Sequence, residues 1–141
     1  MSQGSLEGVT GYLLKRVHAA LRAEMEAVLR PLGLTVAQYA CLEVLDRADS
    51  ATSAHLARGA FISRQAMTVL LAGMESHGWV EVVPGKGRAR PYRITTAGRA
   101  ALDPARTVVN DVDARMVGGL DPAQRRDLHA LLGECLHGLT G

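Results

Sequence analysis

"SAHLARGAFISRQAMTVLLAGMESHGWVEVV", residues 53 to 83, decides the fold. From Ser53 a short helical pattern carries Leu56, Ala57 and Ala60, "FIS" turns the chain, and Ser63 stands where its hydroxyl can cap a longer helix. In that longer helix Met67, Leu70, Leu71 and Met74 lie within about 80° of one another at about 100° per residue, which makes them its core face. Gln65, Thr68, Val69 and Ala72 point the opposite way, with Arg64 on the flank. A short helix, a tight turn and a longer helix with an almost uncharged outer face form a helix-turn-helix pattern.

Gly78 stops the longer helix, and "WVEVV" (79 to 83) alternates and is β-branched, as a strand should be. "PGKGRARP" (84 to 91) and "YRIT" (92 to 95) follow, so two short strands joined by a glycine-containing loop predict a hairpin whose tip carries Lys86, Arg88 and Arg90.

Toward the N-terminus, Leu6, Val9, Leu13, Val17, Leu21, Val28 and Leu32 draw one apolar stripe along a long first helix that ends at Pro31 to Gly33. Thr35 caps a second helix with Tyr39, Leu42 and Leu45 inward, running to about Ala48, and "DRADSATS" (46 to 53) is the break after it. Toward the C-terminus, Leu102, Ala105, Val108, Val109, Val112 and Met116 mark a later helix. "GGLDP" (118 to 122) breaks it, with Asp121 as the next cap and Pro122 in the first turn. Leu128, Leu131, Leu132, Cys135, Leu136 and Leu139 stripe a last helix.

The chain has 141 residues, 48% of them hydrophobic and only 4% aromatic, which fits one mainly helical domain that needs neither disulfide nor metal to fold. Its net charge of +2 is unevenly spread. Arg58, Arg64, Lys86, Arg88, Arg90, Arg93 and Arg99 face only Glu75 and Glu81, so residues 58 to 99 carry +5 and the remainder −3. A local basic field is expected where one face meets a polyanion. The N-terminus lacks the succession of a signal peptide, and no apolar run approaches the roughly 20 residues of a membrane span, so a cytoplasmic protein without membrane partners is expected.

Catalytic signatures are missing: there is no Ser-His-Asp arrangement, phosphate-binding glycine loop or helically spaced carboxylate pair. Cys41 and Cys135 each lie in an apolar helical pattern and are expected to be small buried hydrophobes. Cys135 and His137, two apart on a helix, do not share a face, so neither a metal site nor a cofactor is expected. In a helix-turn-helix the second helix enters the major groove. Gln65 can then pair bidentately with adenine, Thr68 can offer a hydroxyl or a methyl to thymine, and Ser63 and Arg64 sit where phosphates run. Lys86, Arg88 and Arg90 suit a narrow minor groove.

"LTVAQYACLEVL" (34 to 45), "SRQAMTVLLAGMESHGWV" (63 to 80) and "ITTAG" (94 to 98) resemble, in order and spacing, the LTxxQ, SRxxxT…LExxGxV and LTxxG signatures of the MarR family of winged helix-turn-helix regulators. The resemblance implies a mainly α fold: a winged helix-turn-helix with N- and C-terminal dimerisation helices and a small β-hairpin wing. It implies one domain over 1–141, with dimerisation helices at 1–34 and 100–141 and a DNA-binding lobe at 35–99. It further implies a homodimeric repressor on a pseudo-palindromic operator of double-stranded DNA. A small phenolic or anionic aromatic effector would bind where Tyr12, Arg16, His18 and Tyr39 lie. Two departures stand out: Lys86 occupies the place of the Asp in the family's Asp-x-Arg wing pattern, with Arg88 at the Arg, and Val69, Ala72 and Gly73 stand where charged residues are common. A cysteine of the first helix, used by peroxide-sensing members, is not there, which weighs against a redox-responsive sensor, as the scattered histidines weigh against a metal-responsive one. "GRARPYRITTAG" (87 to 98) is also similar to PadR wings, but that family places its winged helix near the N-terminus, whereas here about 50 residues precede it.

Overall fold

Every helix of the predicted succession forms, and all but the first begin at a side chain that accepts from one of the first free N–H groups. The structure, a computed structural model, describes residues 5–84 and 90–141. Its elements are α1 (Thr10–Leu29), α2 (Val36–Asp46), α3 (Ser53–Ala60), α4 (Arg64–Ser76), β1 (Val80–Val82), β2 (Tyr92–Ile94), α5 (Thr96–Met116) and α6 (Pro122–Thr140). Short 3-10 turns at Leu6–Gly8 and Arg30–Leu32 flank α1, so Leu6 and Val9 stand just before the α-helix whose stripe they begin.

Side-chain caps set the helix starts. Thr35 and Asp121 make reciprocal capping boxes with Gln38 and Gln124. Thr52, Ser63 and Thr95 each accept from the backbone N–H three residues on. The ends of α3, α4 and the Arg30–Leu32 turn share one device. At each, a left-handed residue (Phe61, Gly78, Gly33) is followed by a residue whose N–H reaches five residues back: Ile62 to Ala57 at 3.1 Å, Trp79 to Met74 at 3.0 Å, and Leu34 to Leu29 at 3.3 Å. These are Schellman closures, which favour glycine at the left-handed position. Two have it; the third has Phe61 at φ 58°.

One core unites α1 to α5. Leu29 brings the end of α1 and Leu34 the link after it, Leu42 and Leu45 bring α2, Leu56 brings α3, Met67, Leu71 and Met74 bring α4, and Leu102, Ala105 and Val109 bring α5. The expected boundaries at 34/35 and 99/100 are therefore not marked by packing, and α5 runs unbroken across the second one. Pro104 lies inside α5, where it forfeits one backbone hydrogen bond.

By contrast, α6 buries no residue, and Leu131, Leu136 and Leu139 are exposed together with Leu6, Val9, Leu13 and Val17 of the N-terminal segment. Cys41 is buried as expected, and burial pushes its thiol up to about 12. Cys135 is exposed, contrary to expectation, because this chain buries no residue of α6. No single helix among the described residues is long and apolar enough to cross a membrane.

The hairpin pairs Val80 with Ile94, Glu81 with Arg93 and Val82 with Tyr92 in antiparallel register. An isolated bridge adds Ala51 to the edge of β2, with its N–H 3.0 Å from the Tyr92 carbonyl and the return bond at 2.8 Å. The segment expected to be only a break thus also anchors the hairpin to the lobe.

Candidate nucleic-acid interface

The surface is built on α4. Ser63 Oγ accepts from Ala66 N–H at 3.0 Å and fixes the start of the helix, while the Gly78 closure fixes its end. Met67, Leu71 and Met74 are buried and Leu70 is half-buried, which turns Ser63, Arg64, Gln65, Thr68, Val69 and Ala72 outward. The four predicted residues of this helix and its cap are therefore all exposed on one element. Thr68 differs from expectation in one respect: its hydroxyl donates back to the Arg64 carbonyl at 3.0 Å, so its hydrogen is used within the helix.

The turn before α4 carries Phe61, 94% exposed and in the left-handed region. A bulky side chain there costs roughly 1–2 kcal/mol relative to a right-handed backbone. Sequence reading did not find this conformation, because its usual signal is a glycine.

The hairpin stands beside α4. Arg93 donates to Glu81 across the strands at 2.7 Å, so one of the cations counted in the basic segment already has a partner. Arg90 is exposed at the foot of the wing, and Lys86 and Arg88 lie outside the described residues. The wing is joined to α5 by Thr95, whose hydroxyl donates to the Gly78 carbonyl while accepting from Gly98 N–H at 3.0 Å. Gly98 is buried so close to the strand that a Cβ there would lie 2.2 Å from the Trp79 carbonyl oxygen. These contacts give a physical reason for threonine and glycine in "ITTAG".

The residues expected to meet an effector have different surroundings. Tyr12 is half-buried, and Arg16 and His18 are exposed on α1. Tyr39 is in the core, where its hydroxyl donates to Glu43 at 2.8 Å. Burial, and then that hydrogen bond to a carboxylate, push the Tyr39 phenol well above its usual range. One cavity, of about 470 Å³ between α1 and α5, is lined by Val17, Leu21, Val112 and Met116 with the Glu24–Arg115 ion pair at 2.8 Å. A second, of about 350 Å³, lies where α1 ends and α2 begins, with Arg22 and Arg30 in its wall. None of the four expected residues lines either one.

A network that sequence reading missed joins α5 to α2. Arg106 donates through Nη2 to Asp46 at 2.7 Å and through Nη2 and Nε to Glu43. Burial alone would raise the Glu43 carboxyl, but the bonds from Arg106 and Tyr39 outweigh it and hold it below its usual value; Arg106 does the same for Asp46. Among the described residues no three His, Cys, Asp or Glu side chains converge as a metal site would require.

A family model described as MarR family matches residues 32–90. The HTH-type transcriptional repressor Rv2887 of Mycobacterium tuberculosis is 40% identical over 124 residues, spanning 86% of this chain and 89% of that protein. Its crystal structure in complex with salicylic acid superposes with a TM-score of 0.76 at 39% identity, over 89% of this chain and 95% of the other. Its complex with DNA gives a TM-score of 0.74 at 39% identity, over 89% and 96%.

Proposed function

The chain belongs to the MarR family of winged helix-turn-helix transcriptional regulators, and we propose that it is a dimeric, sequence-specific DNA-binding repressor released by a small anionic or phenolic aromatic molecule. The observation that carries the DNA-binding part is the outer face of α4, where Arg64, Gln65, Thr68 and Val69 stand in solvent on a helix fixed at both ends. Gln65 and Thr68 meet base edges, Ser63 and Arg64 meet phosphates, and Lys86, Arg88 and Arg90 follow the neighbouring minor groove. Such a regulator acts in the cytoplasm, where the DNA is.

Dimerisation is supported by the leucines left exposed on α6 and by the exposed N-terminal stripe, apolar side chains that a second copy would cover. The division into dimerisation helices at 1–34 and 100–141 and a DNA-binding lobe at 35–99 is functional, resting on which faces are left uncovered. Two recognition helices then enter grooves about 34 Å apart, and a ligand that changes their separation releases the operator. Tyr12, Arg16 and His18 of α1 present a phenol and two groups able to meet a carboxylate, while the Tyr39 hydroxyl, further along the sequence, is committed to Glu43 in the core. The salicylic acid complex of the Mycobacterium tuberculosis relative supports this effector class.

Selection of random-sequence duplexes by the purified protein tests the reading. Inverted half-sites centred about one helical turn apart are expected, and salicylate should weaken their binding. A selection that enriches no sequence contradicts it.

A further inference from the structure

Resting on the DNA-binding reading above, we propose that α4 reads thymine through its C5-methyl group, with Val69 as the side chain that meets it. Val69 is 72% exposed, an aliphatic side chain on the face opposite Met67, Leu71 and Met74. Gln65, Val69 and Ala72 are spaced by four and three residues, so they line one strip along the helix, with an amide at its N-terminal end and methyl groups over the next two turns. Thr68 beside them spends its hydroxyl hydrogen on the Arg64 carbonyl. Among the described residues of this strip only Gln65 offers amide donors, so most of its base-facing surface is apolar.

In the major groove the apolar feature of a base pair is the thymine methyl, and a glutamine amide matches the N6 and N7 edge of adenine. The two chemistries of the strip agree: both select A·T pairs. Cytosine opposite Val69 would lose the methyl contact and desolvate its N4 amino group against a side chain that cannot accept.

The probe is a duplex selected by the purified protein from random DNA, compared with the same duplex carrying deoxyuridine at single thymidine positions. Uracil keeps the Watson–Crick pairing and removes only the methyl. Affinity should fall about fourfold at each contacted position. Val69→Ala, which improves local helix propensity and so preserves α4, should bind the thymine duplex more weakly and lose its preference for thymine over uracil at one of those positions. Equal affinity for thymine and uracil at every position, or a Val69→Ala protein that keeps the full preference throughout, overturns methyl recognition. Equal wild-type affinity for selected and scrambled duplexes instead overturns the DNA-binding reading beneath it.

Discussion

Arg106 on α5 holds Asp46 on α2, sixty residues earlier in the chain, with Nη2 2.7 Å from Oδ2. Because Arg106 also reaches Glu43, whose other oxygen takes the Tyr39 hydroxyl, four side chains fix how the α2 side of the lobe sits on the long helix α5. The groups are part-buried, so removing the guanidinium leaves carboxylates that water only partly recovers.

Arg106→Met should therefore cost about 2 kcal/mol at neutral pH. Glu43 and Asp46 are held below their usual values, so the stability they add is fully present above the unfolded carboxylate range of about 4 and is lost as pH falls through the lower folded-state values. Urea unfolding at fixed protein concentration should show the gap between wild type and variant at pH 7 and its narrowing near pH 3. A gap independent of pH would assign the loss to packing alone.

Gly98→Ala should destabilise the protein by about 2–3 kcal/mol, because the new methyl would overlap the Trp79 carbonyl where hairpin and α5 meet. Gly73→Ala, with open space around the added atom, should instead stabilise α4 by about 0.5–1 kcal/mol. Thermal melts of both variants check the contrast.

Phe61→Gly removes a side chain that buries almost nothing and relieves its left-handed backbone. A gain of about 1 kcal/mol is expected. A lower melting temperature would show that Phe61 makes a stabilising contact within the assembled protein.

Leu132→Glu with Leu136→Glu places charges on an α6 stripe that this chain leaves exposed. Sedimentation at micromolar concentration should show a dimer for wild type and a monomer for the double variant. A wild-type monomer would refute the assembly.

Much of this was legible in the sequence. The periodicity of α4, its Ser63 cap and the Asp121 start of α6 are local patterns, and local patterns survive into the fold. What stayed hidden was non-local or lacked its usual residue. The Ala51–Tyr92 bridge joins a segment with no strand alternation to one 41 residues away, and the Arg106 network pairs charges that look like ordinary surface residues. Phe61 fills a left-handed position without the glycine that announces one. Cys135 was misplaced because an apolar stripe shows that a face is covered, not that this chain covers it. For the same reason Tyr12, Arg16, His18 and Tyr39 could be placed near one another by resemblance but not by pattern, and the positions of the first three on α1 do not by themselves define a cavity.

The most direct test of the central claim is a salt titration of duplex affinity for wild type, Gln65→Ala and Arg90→Ala, on a selected operator and on its scrambled counterpart. Arg90→Ala should weaken both duplexes alike and make the salt dependence shallower by about 0.9 per lost phosphate contact. Gln65→Ala should cost roughly 1–3 kcal/mol on the operator, little on the scrambled duplex, and leave the slope unchanged. Wild-type affinities that are equal for the two duplexes, or that do not respond to salt, would contradict a sequence-specific DNA-binding regulator.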